Sequence, residues 1–129
     1  MRQVAILGIG QTKIDEHWDL SLREIGGNAA FAAMQDAGVD KVDALFVGNM
    51  LSPLVSGQNQ LGAFFSDWVG LWNQESVKVE AACASGAAAL RAGLMAVAAG
   101  DIESALVVGV GEMTDKAGHD VSPPLSTAP

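Results

Sequence analysis

One side chain in this sequence has the chemistry of a strong nucleophile: Cys83, the only cysteine among 129 residues. A thiolate attacks carbonyl carbon and can carry an acyl group as a thioester. Cys83 follows a short β-rich run containing Val77 and Val79, and it precedes Ala84-Ser85-Gly86, where a stretch of small, helix-compatible residues begins. Unpaired backbone N–H groups and the helix dipole favour negative charge at such a start. A thiol there can lose its proton well below its free pKa of about 8.5. The end of a strand is also where α/β folds place their sites. A lone cysteine serves equally well as a small buried hydrophobe, and position by itself leaves both roles open.

Other candidates carry less. His119 stands beside Asp120 in a stretch of loop composition, and His17 lies in the polar run Lys13 to Asp19. Neither has a spacing that would bring it to Cys83 as a general base. Gly8-Ile9-Gly10 begins like a dinucleotide fingerprint, but Lys13 occupies the place of the third glycine and no helix follows at once. A Rossmann nucleotide site is therefore not expected. A single cysteine excludes an internal disulfide and any multi-cysteine metal centre, so no metal site is expected.

These residues need elements to position them. Val4 to Ile9 reads as a strand covered on both faces. Ser21-Leu22-Arg23-Glu24 has the form of a capping box opening a helix that ends before Gly38. Val42 to Gly48 is a second strand, and Leu51 to Gln60 a loop with Pro53 and Gly57. Leu61, Phe64, Phe65, Trp68 and Trp72 recur in steps of three and four, as on a helix face packed against a sheet. Trp68 and Trp72 are the alternatives for a partner surface, since aromatic residues are favoured there. Ser76 to Ala81 and Ser104 to Val110 are the third and fourth strands. Between them, Ala84 to Gly100 holds one charged residue, Arg91, and is otherwise apolar or small. Such a helix is expected to be buried on all sides, and Gly100 supplies its stop. The alternation implies an α/β fold with right-handed crossovers and a mostly parallel sheet. Residues 1–111 make the folded unit and 112–129 read as loop.

Composition narrows the function. Half the residues are hydrophobic but aromatics are only 5%, so the core is built from Ala, Val, Leu and Gly. Seven Lys plus Arg against 15 Asp plus Glu give a formal net charge of −8. No basic patch is visible, which argues against nucleic acid or an anionic membrane as partner. No apolar run is expected to span a bilayer, and Met1-Arg2-Gln3-Val4 lacks a signal peptide's apolar core. A free thiol suits a reducing, cytoplasmic setting.

The wording around the thiol is more specific than its physics. Val79-Glu80-Ala81-Ala82-Cys83-Ala84-Ser85-Gly86, followed by Ala87-Ala88-Ala89-Leu90-Arg91-Ala92-Gly93, resembles the nucleophile segment of the thiolase superfamily. The likeness is to archaeal and bacterial thiolases related to the sterol-carrier type. Gly109 to Thr114 is similar to the turn after their fourth strand, Val4 to Thr12 to their first strand and turn, and Gly48-Asn49-Met50 to the end of their second. Ketoacyl synthases and hydroxymethylglutaryl-CoA synthase have similar cysteine segments, but Ala-Cys-Ala-Ser-Gly and Gly-Glu-Met-Thr favour thiolase.

That resemblance implies the first half of a thiolase fold, βαβαβαβ, with strand order 3-2-1-4 and a buried Ala/Gly-rich third helix. It implies Cys83 as the residue acylated by an acyl-CoA thioester, with its backbone N–H helping to hold the oxyanion. Coenzyme A thioesters would be substrates, with no bound cofactor. The third strand, residues 76–81, would be an edge that pairs in a homo- or hetero-oligomer. The histidine and second cysteine that complete the family's chemistry belong to a C-terminal half of like fold, so the chain would act with a complementary half. A non-catalytic assembly subunit of the same fold, or a ketoacyl-synthase-type fragment, is the alternative.

Overall fold

The computed structural model describes residues 1–114 and 116–128; Asp115 and Pro129, both in the segment read as loop, lie outside the described residues. The sheet is built from three five-residue strands: the apolar β1 (Ala44–Gly48) and β3 (Ala105–Gly109), and β2 (Glu75–Val79), in which Glu75, Ser76 and Lys78 are interspersed with Val77 and Val79. They are parallel in the order β2-β1-β3, so β2 is an edge strand. β1 is buried along its whole length, and the twofold alternation of strand side chains sorts its residues between two layers. Leu45 and Val47, with Leu106 and Val108 of β3, point to one core with Leu61, Phe65 and Met34. Ala44 and Phe46 point to the other, with Ala89 and the partly buried Ala92, Ala96 and Val107.

Helices cover both faces. α1 (Leu22–Ala37) starts at the expected capping box: the Ser21 hydroxyl accepts from the Glu24 N–H, and the Glu24 carboxylate accepts from the Ser21 N–H at 2.9 Å. The Ser21 N–H, together with the Ser21 hydroxyl donating to the same carboxylate at 2.8 Å, holds the Glu24 carboxyl below its usual range. Gly38, at φ 68°, closes the helix. α2 (Ser52–Val55) is a single turn inside the stretch read as loop, and α3 (Leu61–Trp68) carries the aromatic stripe. Leu61 and Phe65 are fully buried, whereas Trp68 is 41% and Trp72 71% exposed. Trp72 lies past the end of α3, so only the first part of the stripe is core. α4 (Ser85–Ala99) lies on the opposite face and ends at Gly100, φ 85°. α1 and α3 therefore sit on one side of the sheet, α4 on the other, which is the α/β architecture expected.

Four details differ from the sequence reading. The Val4 to Ile9 run forms no strand, so the order 3-2-1-4 is realised without its first member. β1 and β3 pair directly and in register over five residues, which closes the slot between them. The run lies instead along α1, where a Cβ on Gly8 would be 2.6 Å from the Ala33 carbonyl and the Ile9 N–H donates to Asp36. Ile6 and Ile9 remain exposed. Apolar composition states that a run favours cover, not which element supplies it.

Second, α4 is not enclosed. Ser85, Ala89, Gly93 and Ala98 are its buried residues, while Leu90, Leu94 and Met95 are exposed. One sheet covers one stripe of a helix, and among the described residues no other layer covers the rest. Third, Gly118–Leu125 within the segment read as loop is a helix, α5. Pro123 and Pro124 disguise it, yet buried Val121 anchors it and the Ser122 hydroxyl donates to the Gly118 carbonyl. Fourth, Ala82–Ala99 is long and apolar enough to cross a membrane by length and composition. Its Ala89–Gly93 side is packed on the sheet, as in the core helix of a layered domain.

Candidate active site

The carboxyl ends of the three strands are tied into one rim. The Asn49 N–H donates to the Val79 carbonyl and the Val110 N–H to the Gly48 carbonyl. The buried Asn49 side chain donates to the Val110 carbonyl at 2.7 Å and accepts from the Ser52 N–H at 2.8 Å. Asn49 thereby joins β1, α2 and the end of β3. Cys83 stands at this rim, four residues after the last residue of β2 and two before the first of α4, with its thiol exposed.

The turn that carries Cys83 is sharply made. Ala82, immediately before it, has φ 50°, a left-handed conformation costing roughly 1–2 kcal/mol for a residue with a Cβ. The Ser85 hydroxyl offsets this by accepting from the Ala81 N–H at 2.9 Å and donating to the Ala82 carbonyl at 2.6 Å. The Ala84 N–H donates to the Ala81 carbonyl at 2.9 Å. Ala84, the N-cap of α4, supplies no side-chain cap; the Ser85 N–H donates to the Ala82 carbonyl at 3.1 Å, and the amides that follow it keep the anion-favouring character of a helix start. Glycines bring that start onto the rim. A Cβ on Gly48 would lie 2.5 Å from the Ser85 carbonyl oxygen, and one on Gly109 would lie 3.6 Å from the Gly86 Cα.

The two histidines are elsewhere. The His17 ring nitrogen lies 2.6 Å from the Lys13 carbonyl, in a loop where Lys13 pairs with Asp15. That hydrogen bond, with a second from the Glu16 N–H, holds the Asp15 carboxyl below its usual range. His119 is exposed on α5, 3.4 Å from the Asp120 carboxylate. Among the described residues no hydrogen bond or ion pair joins either to Cys83. Sequence reasoning named Cys83 but missed Ser85, Asn49 and the strained Ala82. Ser85 was legible as a polar residue opening an otherwise apolar helix; the φ of Ala82 had no signal, since alanine does not announce a left-handed turn.

Fold and site define a three-layer α/β class of protein with a thiol at the head of a small-residue helix. Comparison with known proteins narrows the class. Residues 4–125 match the family described as thiolase, N-terminal domain, and the chain belongs to that family. It is 44% identical over 130 aligned residues to an acetyl-CoA acetyltransferase of Methanothermobacter thermautotrophicus, covering 99% of this chain and 33% of that protein. An acetyl-CoA acetyltransferase of Methanocaldococcus jannaschii is 44% identical over 117 residues, 89% of this chain and 30% of that one. The chain thus spans about a third of the length of these relatives. In fold it is similar to the acetyl-CoA acetyltransferase of Syntrophomonas wolfei, with a TM-score of 0.66 at 23% identity over 75% of this chain and 26% of that one. It is also similar to 3-oxoacyl-(acyl carrier protein) synthase III of Pseudomonas aeruginosa, with a TM-score of 0.56 at 23% identity, covering 67% and 26%.

Proposed function

We propose that this chain is the nucleophile-bearing part of a thiolase-type acyltransferase, working with a complementary C-terminal half. The observation that carries the reading is the exposed thiol of Cys83 at the uncapped start of α4, on the strand-end rim, in a chain of the thiolase N-terminal domain family. Relatives named acetyl-CoA acetyltransferases point to acyl-CoA as substrate. In the first half-reaction the Cys83 sulfur attacks the thioester carbonyl. The new sulfur–carbon bond replaces the old one, coenzyme A leaves, and the thiol proton passes to it through a base. The Cys83 N–H contributes to holding the oxyanion, a kind of preorganised donor worth roughly 3 kcal/mol in enzymes generally. In condensation the acyl group then passes to the enolate of a second acyl-CoA and the thiolate is freed. Thiolysis runs in reverse: Cys83 attacks the 3-keto carbonyl of a 3-ketoacyl-CoA, and the carbon–carbon bond breaks to release an acyl-CoA enolate that is protonated. Coenzyme A then takes the acyl group from the sulfur.

The base and the α-carbon acid/base come from the complementary half. The edge strand β2, which overlaps residues 76–81, pairs with a second copy or subunit, and the free thiol suits a reducing cytoplasm. Incubating the protein with acetyl-CoA, with and without the complementary half, and mapping modified peptides by mass spectrometry tests this. The expected result is an acetyl group on Cys83 that requires the other half and is absent from Cys83→Ala. An intact assembly whose thiolytic activity survives Cys83→Ala would instead make this chain a non-catalytic scaffold.

A further inference from the structure

Glu80 stands between a fixed point and the nucleophile. Before it, the Val79 carbonyl accepts from the Asn49 N–H at 3.2 Å, which ties the end of β2 to the rim. After it, the left-handed Ala82 leads directly into Cys83. The Glu80 side chain reaches forward two residues, and its carboxylate accepts from the Ala82 N–H. An N–H bonded to a carboxylate is held roughly twice as strongly as one bonded to a neutral acceptor. Glu80 is exposed, and none of the ion pairs among the described residues includes it.

The amides of the turn account for themselves one by one. The Ala81 N–H goes to the Ser85 hydroxyl, the Ala82 N–H to Glu80, the Ala84 N–H to the Ala81 carbonyl and the Ser85 N–H to the Ala82 carbonyl. Among the described residues, the Cys83 N–H is the one amide from Ala81 to Ser85 that no such bond takes up. The rotation that would relax Ala82 from its φ of 50° lies between its N–H and its carbonyl. Glu80 holds the first and the Ser85 hydroxyl the second. The Ala82 carbonyl shares a peptide plane with the Cys83 N–H, so fixing one aims the other.

We propose that Glu80 is a positioning residue for acyl transfer at Cys83, an inference that rests on the thiolase-type function proposed above. With Ser85 it fastens both sides of Ala82, and so presents the Cys83 N–H and thiol together to the thioester carbonyl. Glu80 acts as a hydrogen-bond acceptor and exchanges no proton with the thiol.

The test uses the chain assembled with its complementary half, with acetyl-CoA as acyl donor and iodoacetamide as a small thiol reagent. Glu80→Ala should slow acetylation of Cys83 by about tenfold at saturating acetyl-CoA, since small misplacements of reacting groups are costly. Alkylation by iodoacetamide, which needs only an exposed thiol, should change by less than about twofold. Glu80→Gln keeps an acceptor oxygen at the same reach without the charge, and should restore acetylation to within about threefold of wild type. Wild-type acetylation in Glu80→Ala would overturn the proposal. So would a Glu80→Gln as slow as Glu80→Ala, which would make the carboxylate a base, and so would equal slowing of both reagents. Thiolytic activity that survives Cys83→Ala would instead remove the thiolase-type reading itself, whatever the Glu80 variants do.

Discussion

On one face of the sheet, Leu45, Val47, Leu106 and Val108 meet Leu61, Phe65 and Met34, all buried. On the other, Ala44 and Phe46 meet Ala89 and Gly93 of α4, whose far side shows Leu90, Leu94 and Met95 to solvent. The first face uses large side chains to fill space within one chain. The second uses small ones to bring a helix close, then leaves that helix half covered. Apolar surface buried is worth about 25 cal/mol per Å², so the exposed stripe of α4 is stabilisation not yet collected. On the function proposed above, α4 would be an interior helix of a larger body, with this chain supplying one of its two sides. Sharing a third of the length of its relatives fits that description.

The comparison can be broken at three points. Phe65→Ala, in the finished face, should cost the most, about 3–5 kcal/mol, read as a loss of stability in denaturant titration. A small effect would mean that this face is not the closed core. Gly48→Ala comes next. The added methyl would sit 2.5 Å from the Ser85 carbonyl, and overpacking of this kind costs typically about 1–3 kcal/mol. It should also displace the start of α4, slowing acyl transfer to Cys83 more than a small reagent's attack on the thiol. Leu94→Ser should cost least within the chain, under about 0.5 kcal/mol for an exposed site, while weakening association with a complementary half by at least about tenfold. Equal behaviour of Leu94→Ser and wild type in binding would remove α4 from the interface.

Much of this was legible in the residues. The Ser21–Glu24 box, the stops at Gly38 and Gly100, and the strands around residues 44, 77 and 107 all rest on local rules, and local rules decided them. Cys83 was singled out by the wording of its flanking segment, which resembles that of thiolases, since its position alone left both roles open. What escaped depended on distant partners. The run Val4 to Ile9 has a strand's composition but found α1 instead of a place in the sheet. α5 escaped because two prolines outweighed one buried valine. The apolar character of α4 was legible, but its expected burial on every side was not met, because among the described residues the sheet covers one stripe of it. Arg23 was taken only as part of a cap, since its stacking on Phe64 joins residues far apart in the chain.

The most direct test of the unfinished face is the association state of the chain by sedimentation, with its melting followed in parallel. The two-face account predicts self-association or recruitment of the complementary half, with cooperative melting only in the assembled form. A single sharp monomer boundary with cooperative melting would contradict it, because α4 would then be content with water along Leu90, Leu94 and Met95.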